Sequence, residues 1–195
     1  MINSLDLFVD FLRIDILFGF GYYSIIFFIL RWVLNKKDKI LTFDKYACNL
    51  IVYSGIIYFL MWVSSVFLYY FNVTSPLEKE EFVRRLTGKY SFGIWLQPVF
   101  WLTITQLLRF NFFKNSIIFR ILMSLSFLIT FERFVILVIS IHRDYLPSSW
   151  YFGFSWGELI LTIPLRILEF IIVVLIFMFS SKYIRGLVIK RSVNG

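Results

Sequence analysis

The stretch from Phe131 to Trp150 reads FERFVILVISIHRDYLPSSW and places polar residues at both ends of an apolar run. Glu132 and Arg133 stand near its start, and the single histidine of the chain, His142, stands near its end. Ionisable residues inside hydrocarbon are costly and usually have a structural or chemical role. The stretch therefore predicts a membrane-embedded helix that leads to a polar turn at the membrane surface.

The composition of the whole chain is typical of an integral membrane protein. Hydrophobic residues make up 59% of the 195 residues and charged residues 16%, whereas a soluble domain has about 45–50% apolar and about 25% charged residues. The apolar residues occur in runs, and a run of about 20 apolar residues spans a bilayer. We therefore expect an all-α, polytopic membrane helix bundle that occupies residues 1–195 as a single unit.

Five apolar runs predict about five transmembrane helices. The second run contains no charged residue, and the fifth contains Arg166 and Glu169. Between the second and third runs, Ser75 and Pro76 precede three glutamates, which indicates a short capped helix at the surface. The predicted spans are residues 7–34, 47–71, 91–110, 116–142 and 156–183.

The basic residues indicate how the bundle is oriented. They collect in the segment 35–46, in the C-terminal tail, and around the turn between the third and fourth spans, where Arg109, Lys114 and Arg120 are found. Cytoplasmic loops of membrane proteins carry an excess of Lys and Arg. This pattern predicts a protein of the bacterial inner membrane with its N-terminus in the periplasm and its C-terminus in the cytoplasm. The net charge of +8 then belongs to loops and does not indicate nucleic-acid binding.

Four charged residues are predicted at similar depth in the fourth and fifth spans. Glu132 and Arg166 each lie ten residues from the outer end of their span, which is about 15 Å at 1.5 Å per residue. Arg166 and Glu169 are three residues apart and share a helix face. Together with Arg133 they form either a proton relay, a polar pocket wall, or a charge-neutral clasp between two helices. The clasp is favoured because the four charges sum to zero.

The turn after the fourth span carries a second group of polar residues. Its members are His142, Arg143, Asp144, Pro147, Ser148, Ser149 and Trp150. A histidine beside an acid serves either as a proton shuttle or quinol hydrogen-bond partner, or as an interfacial anchor, and the anchor is the favoured interpretation. With one histidine and one cysteine in the chain, we expect no haem, zinc or iron–sulfur site within it.

The same stretch resembles the NrfD-like family of membrane subunits, of the polysulfide-reductase type, and most closely the form found in alternative complex III. In that family an ERFVI-type helix leads to an HRD-x-LPSSW turn on the periplasmic side. The segment QLLRF, residues 106–110, is similar to the family's PQLLWF, with Thr105 in place of the proline. The matching positions of the main stretch are Glu132, Arg133, Phe134, Val135, Ile136, His142, Arg143, Asp144, Leu146, Pro147, Ser148, Ser149 and Trp150.

The resemblance implies a half-length subunit, because members of the family are longer and contain two bundles, of which this chain resembles the second. The family's quinol pocket lies mainly in the first bundle, so no quinol ligand carries over to this sequence. The implied function is structural or proton-relaying support of quinol-linked electron transfer in an inner-membrane complex. Quinol, haem or iron–sulfur centres would belong to partner subunits, and no catalytic activity is expected of the isolated chain. The alternative is a non-redox scaffold or assembly subunit of an envelope or secretion complex.

Overall fold

The computed structural model describes residues 7–33, 37–89, 91–128, 135, 138 and 156–193. These residues are helical apart from short connections, and no strand occurs among them, which confirms the predicted all-α class for this part of the chain. A π-helical segment, Phe11–Phe18, leads into the first α-helix. The α-helices are α1 (Gly19–Val33), α2 (Lys37–Asn72), α3 (Pro76–Thr87), α4 (Phe92–Leu107), α5 (Asn111–Asn115), α6 (Ile117–Leu128) and α7 (Trp156–Val193).

Three helical stretches are long and apolar enough to cross a membrane. They are Leu7–Arg31, Asp38–Asn72 and Leu161–Ile184, and each exceeds the length of about 20 residues that a bilayer requires. α4 and α6 have only 16 and 12 residues. The predicted fourth span, 116–142, continues past the described end of α6. Three candidate spans are therefore present in the described residues, and the count of about five stays a prediction.

α2 begins at Lys37, ten residues before the predicted start of the second span. The segment 37–46 is basic, but one of its faces is apolar, because Ile40 and Phe43 pack against the buried core. Their three-residue spacing matches one side of a helix, and Asp38 in the first turn suits the positive end of the helix dipole. Most of the predicted loop is therefore the amphipathic first part of α2.

α2 and α4 run antiparallel and approach each other closely. Gln106 donates a hydrogen bond from Nε2 to the carbonyl oxygen of Val52 at 3.0 Å. One turn further along α2, a Cβ atom on Gly55 would lie 2.7 Å from Cβ of Thr105. Small residues permit such close contact between membrane helices. The end of α4 therefore lies beside the first part of α2, which places the basic segment 37–45 and the turn after α4 at one end of the bundle.

α1 is the central helix, since it contacts α2, α6 and α7. Its contact with α7 depends on Gly19, where a Cβ atom would lie 2.8 Å from Cβ of Phe170. The short helix predicted after Ser75 is present as α3, although the Ser75 side chain makes no capping hydrogen bond. α3 is held to the end of the bundle opposite the basic segment by Trp95, whose Nε1 donates to the carbonyl oxygen of Leu86 at 3.1 Å.

Candidate functional site

Arg120 lies in the apolar helix α6, yet its side chain is completely buried. Its Nη1 donates to Oδ1 of Asp44 at 2.7 Å, and its Nε and Nη2 donate to Oγ of Ser24 at 3.3 and 3.1 Å. These bonds join α6 to α2 and α1. A buried ion pair is tolerated only when its geometry is good and its other polar groups are satisfied. Every buried side-chain nitrogen and oxygen among the described residues has such a partner.

The carboxylate of Asp44 accepts hydrogen bonds on both of its oxygens. The Tyr23 hydroxyl donates to Oδ1 at 3.2 Å, and the Cys48 thiol, one helical turn from Asp44, donates to Oδ2 at 3.8 Å. We call this cluster the Arg120 centre; it consists of Tyr23, Ser24, Asp44, Cys48 and Arg120. Its charges balance one to one, so it needs no further ion.

Aromatic side chains of α1 surround the guanidinium of Arg120. Its Cζ lies 4.7 Å from the ring centroid of Phe27, 5.1 Å from Phe20, 5.4 Å from Phe28 and 5.9 Å from Tyr23. A cation within about 6 Å of an aromatic face is attracted by the ring quadrupole. The rings also keep water from the ion pair, and low dielectric strengthens hydrogen bonds that are satisfied. The Arg120 centre is thus an enclosed cluster of ion-pair and hydrogen-bond contacts that connects three helices.

A second charged cluster, the Arg166 centre, lies between α7 and the π-helical segment. Arg166 forms an ion pair with Asp15, and its Nη1 also donates to Oε2 of Glu169 at 3.1 Å. The side chains of Arg166, Asp15 and Glu169 are 28%, 19% and 37% exposed, so this centre is less enclosed than the first. Two carboxylates therefore share one guanidinium. π-helical turns occur frequently at functional sites.

An aromatic layer separates the two centres. Asp15 precedes Ser24 by nine residues, about 13 Å along a helix. Phe20 and Phe170 lie between them, fully buried, with ring centroids 5.8 Å apart, and Phe170 is also 5.4 Å from the Tyr23 ring. These rings meet edge to face and at a tilt, and they separate the Arg120 centre from the Arg166 centre, so the two can have different roles.

The structure connects two of the four ionisable residues that the sequence singled out. Arg166 and Glu169 are hydrogen-bonded to each other, and Asp15, which no sequence pattern connects to them, is also paired with Arg166. With Asp15, the set contains three acids and two arginines, a net charge of −1. The neutrality that favoured the clasp interpretation does not extend to this larger set. Glu132, Arg133, His142, Arg143, Asp144, Pro147, Ser148, Ser149 and Trp150 lie outside the described residues.

The pattern of basic residues places Arg120 around the turn between the third and fourth spans, and this prediction is wrong because the side chain is fully buried. The residues next to Arg120 in the sequence could have indicated that its side chain is buried. Arg120 is preceded by Ile117, Ile118 and Phe119 and followed by further apolar residues, so it lies within an apolar run and not before one. Its partner Asp44 could not be identified in this way, because 76 residues separate the two.

The described residues contain no group of three or more His, Cys, Asp or Glu side chains that could hold a metal ion. Compared with models of known protein families, with curated proteins and with solved structures, the chain gives no match. The resemblance to NrfD-like subunits therefore stays a prediction from the sequence.

Proposed function

We propose that the chain is an integral subunit of a multi-subunit complex in the bacterial inner membrane and supports quinol-linked electron transfer. In this proposal the Arg120 centre fixes the bundle, and the Arg166 centre exchanges a proton near the periplasmic side. The redox groups belong to partner subunits of the NrfD-associated type. The observation that carries the proposal is that Asp15 and Glu169 share the guanidinium of Arg166, the only cation that pairs with either carboxylate among the described residues.

The charge of the Arg166 centre supports proton exchange. One guanidinium neutralises one carboxylate, so a second carboxylate at membrane depth leaves an excess negative charge, which is costly in hydrocarbon. A proton on either carboxyl group removes that charge, while the other carboxylate keeps its ion pair with Arg166. The centre can therefore alternate between two proton positions without losing the contact between α7 and the π-helical segment.

The Arg120 centre is suited to a structural role. Its one acid and one base are matched, all its polar atoms have partners, and aromatic rings cover it. Removing either partner of the Asp44–Arg120 pair would leave the other as an unpaired buried charge, which is strongly unfavourable. We therefore assign proton exchange to the Arg166 centre alone. It is partly exposed and has two acids for one base, whereas the Arg120 centre is enclosed and has one of each.

A non-redox scaffold or assembly subunit of an envelope or secretion complex is the second candidate. It is supported by the outward face of α7, which is apolar along its length and suits packing against another helix. In this alternative, the Arg166 centre acts only as a clasp. The exposed apolar side chains of this face are Leu161, Leu165, Leu168, Ile172, Ile176 and Phe179.

The test is the rate of quinol oxidation by the native complex, normalised to the amount of intact complex on a native gel. We expect Glu169→Gln to lower the normalised rate with little loss of assembly, because the amide still accepts a hydrogen bond from Arg166 but cannot exchange a proton. Glu80→Gln, on the exposed helix α3, is the matched control and should leave both quantities unchanged. A normal rate in Glu169→Gln would contradict proton exchange.

The proteins that purify with the chain at its native level separate the two candidates. Haem or iron–sulfur proteins among them would support quinol-linked electron transfer. Envelope or secretion proteins, with no redox partner, would favour the scaffold.

A further inference from the structure

The turn between α4 and α6 combines free positive charge with exposed aromatic side chains. Arg109 is exposed and Lys114 is half-buried, and the ion pairs of the described residues involve neither of them. Between them, Phe110 and Phe112 are 60% and 79% exposed. Phe112 is the most exposed of the large apolar side chains that the structure describes. In water, such a side chain would be unfavourable.

We infer that this turn binds the headgroup of an anionic phospholipid. Arg109 and Lys114 contact the anionic phosphate of the headgroup, and Phe110 and Phe112 enter the adjoining acyl chains. Basic residues attract anionic lipids at the cytoplasmic surface of a membrane, and aromatic side chains are typical of its interface. The combination of both in one short turn is what identifies the ligand as a lipid.

The turn is held rigidly enough to form a defined site. α5 begins within it, with the backbone N–H of Lys114 donating to the carbonyl oxygen of Phe110 at 3.1 Å. The ring of Phe113 lies 5.3 Å from Phe112 and 4.9 Å from Phe119 of α6. These contacts connect the turn to α6 and leave Phe112 uncovered.

The charge at this end of the bundle favours an anionic over a zwitterionic lipid. The buried acid nearest to it, Asp44, is already paired with Arg120, so it cannot neutralise Arg109 or Lys114. On the adjoining first part of α2, the exposed Lys39 and Lys45 outnumber the one exposed acid, Asp38, so the exposed residues of this segment add a net charge of +1. The phosphate of a zwitterionic lipid is balanced by its own amine, whereas an anionic lipid supplies the missing negative charge.

The experiment is native mass spectrometry of the purified full chain, released from nanodiscs that contain equal amounts of phosphatidylglycerol and phosphatidylcholine. We expect the chain to retain phosphatidylglycerol preferentially. Arg109→Gln combined with Lys114→Gln should reduce that preference at least about fivefold, since one basic side chain near an anionic surface contributes about that factor. Arg109→Lys combined with Lys114→Arg keeps the charges and should keep the preference.

Arg84→Gln combined with Arg85→Gln is the matched control, because it removes the same charge from exposed positions of α3 at the opposite end of the bundle. Equal retention of the two lipids by the unaltered chain, or an equal loss in this control, would overturn the inference. Added inorganic phosphate should not displace the lipid, and displacement would show a site for free anions instead. The inference depends on the membrane setting of the proposed function, but its test uses the isolated chain and leaves Glu169 unaltered, so the inference and the proposed function can fail separately.

Discussion

Arg120 of α6 and Asp44 of α2 form an ion pair of 2.7 Å whose side chains are 0% and 5% exposed. The pair joins two helices that are far apart in the chain, and a hydrogen bond from Arg120 to the Ser24 hydroxyl connects both to α1. Removing one partner of a buried pair leaves the other charge without compensation, which typically costs about 3–5 kcal/mol. The stability of the bundle should therefore depend on both residues together.

The first prediction concerns this pair. We expect Arg120→Leu to lower the free energy of unfolding by about 3–5 kcal/mol, because Asp44 is left charged and buried. Arg120→Leu combined with Asp44→Leu should recover part of the loss, since no buried charge remains. Thermal unfolding in detergent measures both effects. Arg109→Leu, which alters an exposed arginine, is the control, and an equal loss there would show that the Arg120 pair has no special role.

The second prediction concerns the rings around Arg120. Phe27→Leu removes the nearest aromatic face, 4.7 Å from Cζ, and should cost about 1–2 kcal/mol through the lost cation–π attraction and the altered packing. The same change at the exposed Phe67 of α2 should have little effect. Unfolding midpoints of the two variants measure the difference. Equal midpoints would mean that the ring does not stabilise the guanidinium.

The third prediction concerns helix contact at Gly55. Gly55→Ala should destabilise the bundle by about 1–3 kcal/mol, because the added methyl group meets Thr105. Gly93→Ala is a matched change in α4 with no atom within 4 Å of the new Cβ. It should be neutral or stabilising by up to about 1 kcal/mol, as expected for alanine in a helix. If both variants unfold at the same temperature, the approach of α2 to α4 is looser than the structure shows.

The fourth prediction concerns orientation in the membrane. Single cysteines at the exposed positions Lys39 and Glu80, in a Cys48→Ser background, report the basic end of the bundle and the opposite end, where α3 lies. In intact cells, a membrane-impermeant thiol reagent should label the cysteine at position 80 and not the one at position 39, because the excess of basic residues predicts that the basic end faces the cytoplasm. The reverse labelling pattern would refute this orientation.

The helices could be predicted because long apolar runs leave few alternatives to a membrane span. The start of α2 at Lys37 was harder to predict from the sequence. Lys37, Asp38 and Lys39 have the composition of a loop, and the apolar face that begins at Ile40 becomes decisive only when a core is available to receive it. The end of α6 could not be predicted either, because the apolar run continues beyond Leu128, the last described residue of the helix.

The two charged centres differ in how far the sequence indicates them. The contact between Arg166 and Glu169 follows from their spacing of three residues on one helix. The partners Asp15 and Asp44 do not follow from any local rule, because each is brought to its arginine by the packing of distant helices. Asp15 also lies near the start of the first span, where a charge normally indicates the membrane surface.

Infrared spectroscopy of the purified chain can detect the exchangeable proton that we propose for the Arg166 centre. We expect the carbonyl stretch of a protonated carboxylic acid that shifts in D2O, and we expect Glu169→Gln or Asp15→Asn to remove or shift this band. The control Glu80→Gln should leave it unchanged. A spectrum without such a band in the unaltered chain, or a band that neither variant changes, would contradict the claim.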